Sequence, residues 1–328
     1  MPEQFIWGIE VFLNGLMAGV LYALVALGFV LIFKSSGIFN YAQGVMALFA
    51  ALTLVGLQTG QVPFAHLINA IFGTELHHFG WNLPSIVAIA GSFAIMIGFA
   101  FLVERYILKH LVNQEPIILF MATIGLAYFM EGVGDLMWGA DIKTLDVGIE
   151  QGIVESLDAA TFDAFGYGMY IDKLDVVATV VAVLLVTALT LFSQYTKTGR
   201  ALRAVADDHQ AALSVGISLR TIWVIVWAIA GFVALVAGIM WGSKSGVQFS
   251  LSLIALKALP VLMLGGFTSI PGAIVGGLII GVGEKLFEFA IGPMVGGATE
   301  NWFAYMLALI FLVFRPQGLF GDKIIERV

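Results

Sequence analysis

The chain has 328 residues, of which 60% are hydrophobic and 11% are charged, and its formal net charge is −7 at pH 7. A soluble globular protein is roughly 45–50% apolar and about 25% charged, so this composition indicates that lipid is the main solvent. It argues against a soluble enzyme, a disordered protein and a nucleic-acid-binding protein. The chain has no cysteine, which excludes disulfides, thiolate metal sites and cysteine catalysis.

Apolar segments follow one another along the chain, and many approach or exceed the roughly 20 residues that a helix needs to cross about 30 Å of hydrocarbon. No water satisfies peptide groups inside a bilayer, and the alternation typical of barrel strands is missing from the sequence. We therefore predict an all-α protein. We count nine crossing or half-crossing segments, within one or two. They are Phe5–Phe33, Ile38–Leu57, Pro84–Val103, Ile117–Trp138, Leu174–Phe192, Thr221–Trp241, Leu251–Leu264, Ile270–Ala290 and Trp302–Phe314.

The positions of Lys and Arg predict the orientation, because cytoplasmic loops carry an excess of these residues. When the chain alternates through nine segments, ten of the fifteen basic residues fall on one side and three on the other. The prediction is an N-terminus outside and a C-terminus inside. The ten residues are Lys34, Arg105, Lys109, Lys197, Arg200, Arg203, Arg220, Arg315, Lys323 and Arg327; the three are Lys143, Lys173 and Lys244.

Residues 140–175 form an acidic loop that this orientation places outside. Two interpretations stay open: a docking surface for a soluble partner and an ordinary solvated loop. Its acidic residues are Asp141, Asp146, Glu150, Glu155, Asp158, Asp163, Asp172 and Asp175.

Two breaks interrupt the apolar pattern in a similar way, at residues 33–40 and at residues 265–272, and each opens a segment rich in glycine and alanine. Irregular backbone at membrane depth is tolerated where it is buried in protein or lines a cavity, and matched broken helices are typical of transport paths. Ordinary cytoplasmic turns are the alternative. The candidate substrate-path residues are Asn14, Asn40, Gln43, Gly265, Gly266, Ser269 and Gly272.

The polar stretch at residues 198–218 has the pattern of a short helix with one mostly apolar face, and glycines bracket it as helix breakers. Such a helix between two membrane spans can dock in a groove of a partner protein. The alternative is a helix lying on lipid, which acidic side chains disfavour because anionic headgroups would repel them. The candidate docking residues are Gly199, Arg200, Arg203, Asp207, Asp208 and Gly216.

Glycine pairs four residues apart recur, such as Gly15/Gly19 and Gly277/Gly281, and this spacing predicts helices in close contact. Two charged residues, Lys257 and Glu284, fall inside apolar segments, where charges are costly. We expect them to pair across adjacent helices, in a structural or a gating role.

The sequence offers little for catalysis. It has no G-x-x-x-x-G-K-[ST] loop to hold ATP, and no nucleophile–base set stands out. We interpret Glu75, His77 and His78 as polar loop residues, so we predict no metal site, no cofactor and no enzymatic activity of the chain itself.

Five motifs follow one another along the chain: Asn40-Tyr41-Ala42-Gln43-Gly44, Val103-Glu104-Arg105, residues 199–204 (GRALRA), residues 264–273 (LGGFTSIPGA) and residues 315–321 (RPQGLFG). In their order and spacing they resemble the permease subunits of branched-chain amino acid ABC importers, the LivH/LivM group. The short N-terminus and the early Asn14-Gly15 bring the chain closer to LivH. Gln43 and Tyr41 stand where the family commonly has histidine and phenylalanine, which leaves the fold alone and the substrate open.

The resemblance implies a polytopic helical membrane protein with about eight to nine transmembrane or half-membrane helices and the ABC importer permease fold with an internal pseudo-repeat. Residues 1–328 would form one permease domain in a bacterial-type inner membrane, with a cytoplasmic coupling helix at residues 198–218. Its partners would be a related permease subunit in a heterodimer, two cytoplasmic ATPase subunits and an external substrate-binding protein.

The function implied is the import of branched-chain amino acids or similar small solutes, such as urea and short amides. Two alternatives stay open. One is a stand-alone secondary transporter or channel with ion coupling at Glu131, Asp135 or Glu284, and the other is a sugar-type ABC permease.

Overall fold

A computed structural model of the chain describes residues 2–111, 114–207 and 209–321. Over these residues the chain forms thirteen α-helices and two 3₁₀ turns, with isolated β-bridges and no sheet. The prediction of an all-α protein is confirmed. Asp208, one of the candidate docking residues, lies outside the described residues, as do the basic residues Lys323 and Arg327.

The helices, in chain order, are α1 (Pro2–Ser36), α2 (Gln43–Thr59), α3 (Ala65–Phe72), α4 (Ser85–Tyr106), α5 (Pro116–Trp138), α6 (Glu155–Phe165), α7 (Lys173–Tyr195), α8 (Lys197–Asp207), α9 (His209–Ser214), α10 (Leu219–Ser245), α11 (Ile254–Gly265), α12 (Ile270–Val295) and α13 (Glu300–Phe314). The 3₁₀ turns are Leu108–His110 and Phe249–Leu253.

Among the described residues, five helices are long and apolar enough to cross a membrane, namely α1, α4, α5, α7 and α10. Helices α11 and α12 pass the same test together and are bent by 113° at the break between them. Helices α2 and α13 are shorter apolar helices. Counting the bent pair as one or two, the total is eight or nine crossing or half-crossing segments, in agreement with the sequence.

The helices group into two compact units, each discontinuous in sequence. The first unit consists of Met1–Val30, Ile149–Thr190 and Leu256–Val328, and the second of Leu31–Gly148 and Leu191–Ala255. Three of the four unit boundaries therefore fall within helices, namely α1, α7 and α11, and the fourth lies in the loop between α5 and α6.

In the first unit, α1 and α12 cross with their backbones in contact. A Cβ atom added at Gly19 would lie 2.6 Å from the carbonyl oxygen of Gly277, and one added at Gly15 would lie 2.8 Å from Cα of Val282. A Cβ atom at Gly281 would collide with the amide nitrogen of Gly19. The close packing predicted from these glycine pairs is confirmed, because any side chain there would force the helices apart.

In the second unit, α2 is the central helix, and α4, α5 and α10 pack around it. Its residues are buried from Gln43 to Gly56. A side chain at Gly56 would collide with the ring of Trp138 on α5, and one at Gly238 on α10 would collide with the carbonyl oxygen of Ala47. The small residues of α2 and its neighbours thus serve helix packing.

Two short helices lie in loops where the sequence analysis predicted none. Helix α3 follows α2, and α6 lies within the acidic stretch at residues 140–175. Around α6, residues Ile153 and Asp172 form an antiparallel bridge, and Lys173 Nζ lies 3.1 Å from Glu150 Oε2. The part of this stretch from residue 149 onward is therefore folded onto itself within the first unit.

Candidate functional site

The first break joins α1 to α2 and is built around two buried amides. Asn40 Nδ2 donates to Gln43 Oε1 at 3.3 Å, and Asn40 Oδ1 accepts from the backbone N–H of Ala42 at 3.2 Å. Gln43 Nε2 in turn donates to the carbonyl of Ala230 on α10 at 3.3 Å. Since Asn40 shapes the turn, α2 begins at Gln43, five residues later than the predicted start at Ile38.

Thr123 on α5 holds the same break and was missed by the sequence analysis. Its Oγ1 accepts from the backbone N–H of Tyr41 at 3.1 Å and lies 3.0 Å from the carbonyl oxygen of Phe39. No signal in a single sequence links a threonine to a turn some 80 residues away. The contact fastens the break to α5.

The side chains that remain accessible at this break are aromatic. Tyr41 is exposed and Phe39 is half-buried, and both rings face Phe120 of α5, with ring centroids 6.2 Å and 5.8 Å apart. The amides of Asn40 and Gln43 are buried. Any solute meeting this part of the second unit would therefore contact mainly apolar surface.

The second break joins α11 to α12 and is covered by residues 315–321, which follow α13. The backbone N–H groups of Leu319 and Phe320 donate to the carbonyls of Leu264 and Gly265, at 2.8 Å and 3.1 Å. These carbonyls end α11 and would otherwise have no helical donor. Both motifs stand out in the sequence, but no pattern in it indicates that they bind each other.

Glycine is required at this contact. Gly266 has φ +102°, and an added Cβ would lie 2.7 Å from the amide nitrogen of Gly321. Ser269 then caps α12, with its Oγ accepting from the N–H of Gly272 at 3.0 Å. A side chain at Gly265 would collide with the carbonyl of Gly272, so the two ends of the break are in contact.

The structure divides the candidate path residues between the two units. Asn14, half-buried on α1, belongs to the first unit with residues 265–272, whereas Asn40 and Gln43 belong to the second. The structure brings Asn40 together with Gln43, and Gly265 together with Gly272. A role of these residues in substrate passage stays a prediction.

The intramembrane charges Lys257 and Glu284 form an ion pair. Nζ of Lys257, on α11, lies 2.7 Å from Oε1 of Glu284, on α12. The hydroxyl of Tyr22 on α1 donates to the same oxygen at 3.4 Å, and the lysine Nζ lies 5.8 Å from the centre of the tyrosine ring. The predicted pairing across adjacent helices is confirmed, and it joins three helices of the first unit.

Within residues 198–218 the structure describes helix in two ranges, α8 and α9, and both pack against α10. Leu202 and Val205 of α8 are buried, and so is Ala212 of α9. Leu213 and Val215 are exposed apolar side chains at the end of this segment. The described residues on both sides of Asp208 are helical, up to Asp207 in α8 and from His209 in α9, as the sequence predicted for this segment.

Gly199 lies inside α8 and does not break the helix, so that prediction is wrong. Its N–H donates to Thr196 Oγ1 at 2.9 Å, and an added side chain would collide with the carbonyls of Phe192 and Ser193 at the end of α7. Glycine permits this close approach. Gly216 follows α9 as predicted.

The described charged residues of this segment lie at its surface or partly so. Arg200 and Asp207 are exposed, and Arg203 donates to the carbonyl of Gln194 at 3.4 Å.

In the part of the chain that the structure describes, no group of three or more His, Cys, Asp or Glu side chains could hold a metal ion.

Comparison with known proteins identifies the family. The family model for the permease component of branched-chain amino acid transport systems matches residues 11–315. The high-affinity branched-chain amino acid permease protein LivH of Escherichia coli (strain K12) is 27% identical over 331 residues, which cover 100% of both chains. The corresponding BraD of Pseudomonas aeruginosa is 28% identical over 338 residues, again covering 100% of both.

A third relative, the probable branched-chain amino acid permease protein LivH of Methanocaldococcus jannaschii, is 27% identical over 310 residues, covering 92% of this chain and 89% of its own. The family match extends from the first helix to the end of the last. This chain therefore belongs to the family of permease components of branched-chain amino acid transport systems.

Proposed function

We propose that this chain is the permease subunit through which an ATP-driven importer moves branched-chain amino acids across the membrane. The observation that carries the proposal is the α8–α9 segment. It is anchored by Leu202, Val205 and Ala212, while Leu213 and Val215 remain exposed beside outward-facing charged groups. An anchored segment with exposed apolar side chains and a charged rim is suited to dock a protein partner.

The partner at this segment would be an ATPase subunit. The sequence has no phosphate-binding loop of the G-x-x-x-x-G-K-[ST] type, so the energy of ATP would have to come from another chain. The proposed assembly has two ATPases on the cytoplasmic side, a related permease subunit as the heterodimer partner and an external substrate-binding protein. The excess of basic residues on the α8–α9 side supports an N-terminus outside and a C-terminus inside the inner membrane.

Docked ATPases would drive transport by moving the α8–α9 segment. Because α8 and α9 pack on α10, and α10 packs on α2 and α4, a displacement of the segment would pass into the helices of the second unit. A ligand or partner shifts such an equilibrium only by binding one state better than the other, here through the nucleotide state of the ATPases.

Substrate contact along the path would be weak and mainly apolar. The accessible side chains of the first break are the aromatic rings of Phe39, Tyr41 and Phe120. Such a surface suits the hydrocarbon side chains of leucine, isoleucine and valine better than urea or a short amide. Selectivity would then reside largely in the external binding protein, with Asn14, Asn40, Gln43 and the break at 265–272 along the path.

The ion pair weakens the alternative of a stand-alone ion-coupled transporter. Glu284, the most interior acidic candidate for ion coupling, is 1% exposed and already has Lys257 as its counter-ion. A carboxylate that bound and released a coupling cation would have to give up this contact in each cycle.

Docking is tested with Leu213→Asp and Val215→Asp in the purified permease mixed with its ATPase subunits. Burial of one such side chain contributes about 1.5–3 kcal/mol, so each change is expected to weaken ATPase binding roughly tenfold or more. Arg203→Glu and Asp207→Lys are expected to weaken it through the charged rim. Leu76→Asp is the matched control, since Leu76 is also exposed but lies in the loop between α3 and α4. Unchanged binding in all four docking variants would overturn the docking proposal.

The transported solute is tested in proteoliposomes that contain the whole importer and its binding protein. Uptake of leucine, isoleucine and valine is expected to require ATP, with little uptake of urea or acetamide. Uptake by the permease alone on an ion gradient, without nucleotide, would instead support a secondary transporter.

A further inference from the structure

The beginning of α10 makes polar contacts to the ends of two other helices of the second unit. Arg220 Nε donates to Glu104 Oε2 at 3.0 Å, close to the last residue of α4. Trp223 Nε1 donates to the carbonyl of Ser35 at 3.3 Å, in the last turn of α1. Both contacts start from a single turn of α10. We call this turn, residues 219–223, the α10 start.

The contact with α4 is an asymmetric ion pair. The Glu104 side chain is 4% exposed and that of Arg220 is 62% exposed. A buried carboxylate without its counter-ion is costly. A movement of Arg220 is therefore expected to carry Glu104 and the end of α4 with it. The guanidinium stays accessible, and it can move with α10 without losing its own hydration.

The contact with α1 lies at the first break. Ser35 is followed two residues later by Gly37, where α1 has ended, and then by the turn that carries Asn40. The indole N–H satisfies one of the carbonyls that the end of a helix leaves without a donor. One turn of α10 therefore holds α4 and the entry to the α1–α2 break at the same time.

The α10 start is also directly connected to the α8–α9 segment. Only residues 215–217 separate Ser214, the last residue of α9, from Ser218, whose Oγ accepts from Thr221 N–H and caps α10. The N–H of Ile217 donates to the carbonyl of Ala212 at 3.0 Å, which closes the connection. A displacement of α9 cannot be absorbed by a long flexible linker.

We propose that Arg220 and Trp223 are positioning residues that convey a displacement of the α8–α9 segment to the end of α4 and to the α1–α2 break. This inference rests on the proposed function, in which ATPases dock on that segment. Arg220 acts through Glu104, and Trp223 acts through the carbonyl of Ser35. Neither residue needs to touch the substrate or the ATPase.

The experiment uses the complete importer in proteoliposomes and measures ATP hydrolysis, uptake and ATPase binding for each variant. The decisive variant is the double change Glu104→Gln/Arg220→Met. It leaves no buried charge without a counter-ion, so its Tm is expected to stay near that of the unchanged protein. Uptake per ATP hydrolysed is expected to fall roughly tenfold or more, the change that corresponds to losing a hydrogen bond between charged groups. ATPase binding is expected to be retained.

Trp223→Phe tests the second contact, since it removes the indole N–H and keeps an aromatic ring. It is expected to lower uptake per ATP severalfold with ATPase binding unchanged. Lys285→Met/Glu300→Gln is the control, because this pair has a similar N–O distance of 2.7 Å and lies between α12 and α13. Its uptake per ATP is expected to be that of the unchanged protein.

Normal uptake per ATP in both Glu104→Gln/Arg220→Met and Trp223→Phe would overturn the inference and leave the proposed function intact. If the unchanged permease failed to bind ATPases at all, the proposed function would fall first. The two failures are therefore distinguishable in the same set of measurements.

Discussion

Lys257 and Glu284 join α11 to α12 through a contact of 2.7 Å between Nζ and Oε1. The partners differ in their surroundings, with the Glu284 side chain 1% exposed and that of Lys257 29% exposed. The second carboxylate oxygen, Oε2, is buried and has no hydrogen-bond partner among the residues that the structure describes. Lys257 is thus the main counter-ion of Glu284, and the Tyr22 hydroxyl adds a long hydrogen bond to the same oxygen.

This asymmetry predicts that removing Lys257 and removing Glu284 lower the stability by different amounts. Lys257→Met leaves a buried carboxylate without a counter-ion and is expected to cost about 3–5 kcal/mol. Glu284→Gln should cost less, because the partly exposed ammonium can reach toward polar surroundings along its flexible chain. The double change should recover most of the loss. Thermal unfolding of the detergent-solubilised protein measures all three.

The exposed pair of Lys173 and Glu150 provides the comparison. Glu150→Gln is expected to change stability by less than about 1 kcal/mol, since surface ion pairs contribute little. Equal effects of Lys257→Met and Glu150→Gln would contradict the assignment of Glu284 as a carboxylate that depends on its buried contact.

The crossing of α1 and α12 predicts a sharp difference between glycines on one helix. Gly19→Ala places a Cβ 2.6 Å from the carbonyl oxygen of Gly277, and the resulting strain is expected to cost about 1–3 kcal/mol. Gly8→Ala on the same helix meets no atom within 4 Å. It should be neutral or slightly stabilising, since alanine favours helix by up to about 1 kcal/mol over glycine. A lower Tm for Gly8→Ala than for Gly19→Ala would contradict this packing.

The contact between Gly266 and residues 315–321 predicts a local effect of one methyl group. Gly266→Ala is expected to displace this segment, so the backbone amides of Leu319 and Phe320 should exchange hydrogen faster. Gly296→Ala is the control, because Gly296 also has a positive φ, +91°, but has open space around its Cβ position. Backbone strain alone costs about 1–3 kcal/mol and should appear in both variants. Unchanged exchange in Gly266→Ala would refute the contact.

Lys143 lies in the loop after α5, and its surroundings predict that the stability of the protein depends on pH. Its Nζ donates to Gln61 Oε1 at 2.9 Å, and burial lowers the pKa of Lys143, an effect that the nearby Asp141 opposes. A lowered pKa means that the folded state binds the proton less well than the unfolded state does. The penalty is present while the lysine is charged, and it is relieved as the pH rises through the lowered pKa.

The stability of the unchanged protein should therefore gain a component as the pH rises toward 10.5, the ordinary lysine pKa. Lys143→Gln should lack this component. The measurement is the difference in Tm between the two proteins across this rise in pH, and parallel curves would count against a lowered pKa.

The sequence predicts well those features that repeat along a helix or follow from the membrane. The lengths of the apolar segments predict the membrane spans. The spacing of Gly15 and Gly19 predicts a close helix crossing, because helix geometry puts residues four apart on one face. The pairing of Lys257 with Glu284 is predictable in the same way, since isolated charges inside a bilayer need a partner.

The features missed by the sequence analysis depend on single contacts between distant residues or on competition between a side chain and the backbone. The side-chain oxygen of Asn40 accepts a hydrogen bond from the backbone N–H of Ala42 and thereby stabilises a turn. Helix α2 therefore begins later than the sequence predicts. Glycine is a typical helix breaker, yet at position 199 its small size permits the close approach of α8 to α7. Hydrogen bonds to backbone groups far away in sequence are formed by Thr123, Trp223 and residues 315–321. No local sequence pattern indicates these distant partners.

The contact of residues 315–321 with the end of α11 has a consequence for biogenesis. These residues leave the ribosome only after α12 and α13 have been made, so the carbonyls of Leu264 and Gly265 must wait for their donors while the intervening helices insert. The hydrogen bonds that cover the bend can therefore form only after residue 320 has been synthesised. A chain truncated before residue 319 would leave both carbonyls without these donors.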